Sequence, residues 1–430
     1  MIIGHLIRRE RLNKQMKQTY LAKGICSPSY LSKIENNDIL PSKEILELIS
    51  VKLDIDFGGM EDLLEESEGR SRNEFKQIYK EITLNRNIEY AKETLIKLFD
   101  DRFFYINKDD FYAYNLLVLR LLLTGKDNNE MVDSYLQPLI KDQEKMSTCQ
   151  YYLLKKVQGI YSYHLKNFLQ SLFFFEEAIS VSNKISLTDW EKADFHYMYS
   201  LTNLAESHNI NAIEYSNLAL QHYLESFQFK RAIECFIIQG IALKKSNKFK
   251  EALATYQKAS EISEKFNSTY YKALIAQNLG SLHASLEEFD TSLKFYIQSF
   301  ELKSKLEDKV LSIFSIIQVY SRQNNVQGII KWTEKGLNEI ENNAELRAYS
   351  YHFNLYRIFT NETNNIDTDY LCEAINYFES IKDYRHTYKY SIKMGNVLEN
   401  GNKYKKSNYF YKKAIKFSNK QSKYQYWEDI

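Results

Sequence analysis

Proline and glycine are scarce: the chain has three prolines and 13 glycines in 430 residues. Average usage runs at roughly 5% and 7%. So few breakers over such a length exclude a chain of tight β-hairpins and favour helices joined by short turns. The four cysteines, Cys26, Cys149, Cys235 and Cys372, stand far apart. None shares a Cys-x-x-Cys or Cys/His spacing, so neither a zinc site nor a disulfide framework is supported, and free thiols fit a reducing compartment. A long hydrophobic run is also missing. The most apolar stretch, NLLVLRLLL (115–123), is interrupted by Arg120 and falls short of the ~20 residues a bilayer requires. The start, MIIGHLIRRERLNK, is charged from Arg8 onward and does not read as a secretory signal. A soluble, cytoplasmic protein with no membrane partner is expected. Nucleotide loops, a G-x-S-x-G elbow and an H-E-x-x-H pair are absent too, and the eight histidines are scattered. No catalytic, metal or cofactor role is therefore expected.

What is present is core-forming material and a local imbalance of charge. Hydrophobic residues make up 44% of the chain, with 34 tyrosines and 25 phenylalanines. The formal net charge is only +1, which argues against a polyanion binder by bulk charge. Yet Arg8, Arg9, Arg11, Lys14, Lys17, Lys23 and Lys33 face a single acid, Glu10, within the first 33 residues. Such a basic patch on a neutral protein is a footprint for phosphate contact.

Helical periodicity organises the same region. Ile3, Leu6, Ile7 and Met16 are the apolar positions of a first helix. A short second helix begins near Gln18, puts Leu21 and Ala22 inward and stops at Gly24. Ser27 then caps a third helix that starts at Pro28, with Leu31 and Ile34 inward. After Asn36–Asp38 and Pro41–Ser42 comes a fourth helix, with Ile45, Leu48, Ile49 and Leu53 inward. Two short helices across a tight turn, the second well capped, spell a helix-turn-helix whose second helix enters the major groove. SPSY (27–30) supplies short polar side chains at its start; serine and asparagine can pair with base edges, and Lys33 can reach guanine or phosphate.

QTYLAKGICSPSYLSKIENNDILPSKEILELISVKLDI (18–55) resembles the Xre/Cro-type helix-turn-helix of bacterial repressors. The matching positions are Leu21–Ala22, Ser27 through Glu35, Pro41–Ser42 and Leu46 through Ile49. The turn, KGIC, is one residue shorter than in the usual repressor. In that it is similar to the RRNPP-type peptide-sensing transcription regulators, of the PlcR and NprR kinds. The resemblance implies base or phosphate contacts for Gln18, Ser27, Ser29, Tyr30, Lys33 and Asn36.

Beyond a segment rich in glycine and acids (56–75), the chain repeats. Small, aromatic and small residues recur at helical spacing: Ser171, Phe175, Ala178; Ala252, Tyr256, Ala259; Ser292, Tyr296, Ser299; Ser407, Tyr411, Ala414, with a weaker copy at Ala212, Ser216, Ala219 that lacks the aromatic. Small residues let paired helices approach while the aromatic fills the gap, as in tetratricopeptide hairpins. The expected fold is all-α: a five-helix-type helix-turn-helix domain (1–66), a linker (67–74) and a right-handed α-solenoid of about nine degenerate tetratricopeptide repeats (75–430). The polar end, 419–430, reads as a capping helix.

A solenoid offers a concave face for an extended peptide, whose backbone needs amide partners. Counting from Gly280, Gln277 and Asn278 face inward, with Gln239, Gln318, Arg322, Asn354, Arg357 and Asn396 on equivalent helices. The resemblance singles out Asn278, because the family clamps its signal peptide with inner-face asparagines. It also implies a homodimer on a double-stranded DNA operator, with a short oligopeptide altering dimer geometry and DNA affinity. The alternatives are a repeat scaffold that sequesters a response-regulator protein, and a regulator of a phage or mobile element built from the same parts.

Overall fold

The computed structural model describes residues 3–36, 39, 41–55, 60–100, 108–125, 129–341, 343–360 and 366–422. Helices dominate, and no strand occurs among the described residues. The expectations placed on Asn37 and Asp38, on Gly58 and Gly59, and on the last eight residues fall outside these segments. By density of contacts the chain divides into residues 1–242 and 243–430. Each unit is described by itself.

In the first unit α1 (Ile3–Asn13), α2 (Gln18–Ala22), α3 (Pro28–Glu35) and α4 (Lys43–Leu53) form the head. Local chemistry sets their ends. Gly24 adopts φ +82°, a left-handed conformation that closes α2 without the Cβ penalty other residues meet. Ser27 Oγ accepts from Tyr30 N at 3.1 Å, and Ser42 Oγ from Ile45 N at 3.4 Å, so both helices are capped as the serines suggest. Ile3, Ile7, Leu21, Ala22, Leu31, Ile34, Leu46, Ile49 and Leu53 make one core. One expectation fails here: Leu48 is 49% exposed, and Leu46 takes the inward place. Both positions suit a 3.6-residue period, and only the packing of α4 on α1 and α2 separates them.

α5 (Met60–Asn85) follows, then α6 (Ile88–Asp100), α7 (Lys108–Leu122) and α8 (Asn129–Lys141). The segment 67–74 lies inside α5, so its backbone is helical despite Gly69. One glycine costs a helix only about 1 kcal/mol. Antiparallel pairs come next: α9 (Thr148–His164) with α10 (Phe168–Ser182) and α11 (Asp189–Ala205) with α12 (Asn209–Glu225), followed by α13 (Phe229–Lys245). The second unit holds α14 (Phe249–Lys265) and then pairs α15 (Thr269–Ser285) with α16 (Phe289–Leu302), α17 (Leu306–Arg322) with α18 (Val326–Ile340), α19 (Arg347–Phe359) with α20 (Thr368–Ser380), and α21 (Tyr384–Asn400) with α22 (Tyr404–Ser422). The pairs are tetratricopeptide-like hairpins.

The small–aromatic–small pattern is the hairpin lock. Ser292 Oγ donates to Gly280 O at 2.7 Å, and Ser171 Oγ to Gly159 O at 2.7 Å. Ser407 Oγ repeats the bond with Gly395 O at 3.0 Å. In each pair the aromatic covers the glycine: a Cβ on Gly280 would meet Tyr296 Cδ1 at 2.7 Å, and one on Gly159 would meet Phe175 Cε1 at 2.8 Å. Gly280→Ala should therefore push Tyr296 off its seat and cost about 1–3 kcal/mol. A lowered urea midpoint, with far-ultraviolet circular dichroism unchanged, checks this.

The turns explain how the chain manages with so little glycine. Asn247, Asn267, Asn324 and Asn402 hold the left-handed position between helices, and Lys166, Ser207, Phe227, Glu287 and Lys382 do the same elsewhere. Asparagine tolerates that conformation best among residues with a Cβ.

In the second unit His352 is buried between the rings of Phe314 (4.6 Å) and Phe378 (4.7 Å). Its Nδ1 pairs with Tyr390 Oη at 2.6 Å, and the His386 ring lies 4.3 Å away, itself paired with Asp383. Burial, then the neighbouring His386 and Lys389, lowers the His352 pKa to about 2, against an opposing pull from Asp383. A histidine held neutral in the native state takes up a proton only on unfolding. Its contribution is complete above the unfolded value near ~6.5 and is lost as pH falls below it. Between pH 7 and 5 the fall should approach ~2 kcal/mol, and His352→Gln should remove most of that slope in urea titrations at the two pH values.

Candidate functional site

The head presents one polar edge. Ser29, Lys33 and Asn36 are all exposed, and their spacing of four and three residues puts them on one side of α3. Ser27 is exposed at the N-terminus of α3, where its Oγ also meets Ser29 Oγ at 3.0 Å. Asn36 closes the helix, its N–H donating back to the carbonyls of Ser32 and Ile34. Tyr30 departs from this edge: it is half-buried against the head's core.

Gln18 is partly engaged. Its Nε2 donates to Glu35 Oε2 at 2.8 Å. Glu35 is itself buried, and takes Arg11 Nε at 2.5 Å and Arg11 Nη2 at 2.8 Å. Arg11 Nη1 completes the set on Met16 O at 2.8 Å. Two consequences follow. Arg11 is buried, so it leaves the basic patch and serves as a brace between α1 and α3. Glu35, which the sequence reading left without a role, is the carboxylate that orients both Arg11 and Gln18. A buried acid at the end of a helix opposite a buried arginine has no periodic signal of its own.

In the repeats the amides differ in how much of their bonding is already used. Gln239, in the first unit, is buried and donates to Asn217 Oδ1 at 2.9 Å. In the second unit Gln277 is fully engaged. Its Oε1 accepts from Ser312 Oγ (2.7 Å), Lys303 Nζ (2.9 Å) and Ser299 Oγ (3.2 Å), and its Nε2 donates to Ser315 Oγ (3.0 Å). Burial lowers the Lys303 pKa to about 8, with Asp308 pulling the other way. Arg322 reaches Ala284 O at 2.7 Å and Glu287 at 3.3 Å. Asn354 donates to Tyr370 Oη at 3.1 Å, and Asn396 Oδ1 accepts from Tyr411 Oη at 2.8 Å. Asn278 is half-buried and donates to Leu274 O, four residues back, at 2.8 Å. Its Oδ1 has no hydrogen-bond partner among the described residues. Gln318 is half-buried and Arg357 exposed on the next two first helices, α17 and α19.

Tyr197, in the first unit, and Phe314, in the second, are buried core residues. Among the described residues no group of histidine, cysteine and carboxylate side chains is arranged to hold a metal ion. None of their helices is long and apolar enough to cross a membrane.

Residues 7–59 match the family model described as Helix-turn-helix. Over 409 residues the chain is 28% identical to the Transcriptional activator NprA of Geobacillus stearothermophilus, spanning 92% of this chain and 98% of that protein. Over 55 residues it is 42% identical to the ImmF control region 10 kDa protein of Bacillus phage phi105, which accounts for 13% of this chain and 61% of that protein. Among solved structures, the apo form of the quorum sensor NprR from B. thuringiensis aligns with a TM-score of 0.69 and 16% identity, over 82% of this chain and all of that one. At that identity the fold is what the two share. The head thus matches a helix-turn-helix family model, and the likeness to a transcriptional activator runs along nearly the whole length of the chain.

Proposed function

We propose that the chain is a cytoplasmic, peptide-controlled regulator. In this reading the head (1–66) binds a double-stranded operator as part of a homodimer, with 67–74 as the connecting stretch within α5. The repeats (75–430) bind a short oligopeptide that alters dimer geometry and DNA affinity. The observation that carries the reading is the exposed edge of Ser29, Lys33 and Asn36 on a capped helix whose opposite side is sealed into the core. Single heads bury little surface, so two half-sites and two copies are required for tight, specific binding. For the peptide, Asn278 is the leading contact, with Gln318 and Arg357 next. They stand about forty residues apart, one per first helix of successive pairs, as an extended backbone running across repeats requires.

Lys33→Ala and Ser29→Ala should each weaken operator binding by roughly 10- to 100-fold, the worth of a contact of ~1–3 kcal/mol. Peptide affinity and the melting temperature should stay as they are. Asn278→Ala should lower the affinity for a short signal peptide, read by calorimetry, and leave basal operator binding intact. Equal loss of peptide binding in the head variants would mean the two roles are assigned to the wrong segments.

A further inference from the structure

The first unit gathers four cations around one carboxylate. Asp194 on α11 has no exposed surface. Its Oδ2 takes Lys156 Nζ of α9 at 2.9 Å, and its Oδ1 takes Arg86 Nη2 at 3.0 Å. Arg231 Nη2 of α13 and Arg120 Nη2 of α7 stand 3.8 Å and 3.9 Å from the same oxygen. Glu234 takes Arg231 Nη1 at 2.8 Å from the margin. Arginine keeps its proton under all ordinary conditions. The group therefore holds two more positive than negative charges where little water reaches.

A second, independent observation concerns hydrogen bonds. The Nε atoms of Arg86, Arg120 and Arg231 are buried and have no partner among the described residues. The same is true of the hydroxyls of Tyr79, Tyr152 and Tyr223. These rings surround the cluster: Lys156 lies over Tyr79 at 5.7 Å and Arg231 over Tyr223 at 5.8 Å. Tyr197 offers its face to Arg86 at 4.3 Å and to Arg231 at 5.0 Å. A ring face spreads cationic charge without cancelling it, and accepts no in-plane N–H bond. Asp194 supplies two oxygens: Oδ1 is bonded to Arg86, and Oδ2 lies 2.9 Å from Lys156 Nζ as an ion pair in which neither atom has a hydrogen-bond partner among the described residues. The site is rich in donors and poor in acceptors, and a buried unpaired ion costs several kcal/mol.

We propose that this cluster is a binding site for a compact inorganic anion, halide or phosphate, held by the Nε–H edges of Arg86, Arg120 and Arg231 and by the neighbouring tyrosine hydroxyls. Such an ion adds the missing negative charge beside Asp194, because each Nε–H shares an edge of its guanidinium with the Nη2 that faces that carboxylate. It reaches the site past Arg86 and Glu234, each of whose side chains is 24% exposed. Because Arg86 follows directly on the last residue of α5, occupancy ties the end of that helix to α7, α9, α11 and α13.

The test uses the full chain, melted in sodium chloride, sodium phosphate and sodium gluconate at matched ionic strength. A ligand that binds only the native state raises the melting temperature in a saturable way. A rise of about 2–4 °C over gluconate is expected in chloride, in phosphate, or in both, and the two arms tell which ion is taken. Arg120→Met and, as a milder variant, Arg86→Gln should abolish this difference, while Lys192→Met on the exposed side of α11 keeps it. Crystals soaked in bromide should show anomalous density between the arginines if the halide is bound. Equal melting in all three salts overturns the proposal. So does a salt difference that survives both arginine variants, and so does bromide density without any stabilisation, which means an adventitious ion only.

Discussion

Replacing Glu35 with alanine should unfold the helix-turn-helix head. Glu35 receives two bonds from Arg11 and one from Gln18 in a place where only 1% of its surface is exposed. Its removal leaves a buried guanidinium without a counter-charge, which typically costs about 3–5 kcal/mol. A unit of roughly 50 residues has a stability of only a few kcal/mol. The loss is therefore comparable to everything that holds α1 against α3. Limited proteolysis should cut Glu35→Ala rapidly within residues 3–55, and operator binding should vanish. An apolar exchange of both partners, Arg11→Met with Glu35→Leu, should restore resistance to protease, because it removes both charges at once. If Glu35→Ala resists proteolysis as well as the parent does, the ion pair is not what joins the two helices.

Asp194→Asn should be the most damaging single change among the repeats. The amide keeps the shape of the carboxylate and removes its charge, leaving Lys156 and the arginines to face one another. Burial works to raise the Asp194 pKa, yet Lys156 and then Arg86, Arg120 and Arg231 hold it well below the usual carboxylate range. It is thus ionised throughout ordinary pH. Its loss should lower stability by about 3–5 kcal/mol, read as a fall in the urea midpoint. The combination of Asp194→Asn with Lys156→Met should recover part of that loss, since it withdraws the cation that lies closest. A midpoint unchanged by Asp194→Asn would show that the cations are neutralised in some other way.

These two carboxylates mark the boundary of what could be read from the chain itself. Ser27, Pro28, Ser42 and Gly24 announced the ends of α2, α3 and α4, because capping and left-handed turns depend on residues within a few positions. The hairpin locks were legible for a related reason. Gly280 and Ser292 are near in sequence, and the size of one residue restricts its partner. Leu46 and Leu48 were harder to separate, since the apolar pattern of a three-turn helix fits either until neighbouring helices choose.

The polar site residues were legible by type and only partly by role. Ser29, Lys33 and Asn36 lie on the exposed edge that the helical period demands. Gln277 has the composition of a peptide contact, but Ser299, Lys303, Ser312 and Ser315 engage it from α16 and α17. Arg11 looks like a surface cation until Glu35 arrives from 24 residues away.

The sequence by itself determined an all-helical chain, a capped third helix with a polar edge, and a run of hairpins locked by small and aromatic residues. Those follow from local propensity and from apolar periodicity, which any single segment displays. The tertiary structure alone decided which charges are spent inside the protein. Arg120, Lys156, Asp194 and Arg231 come from separate helices and Arg86 from the turn after α5, and no short window holds two of them. A charged side chain carries the same propensity whether it is solvated or buried, so its role is settled only by the partner that distant packing brings to it.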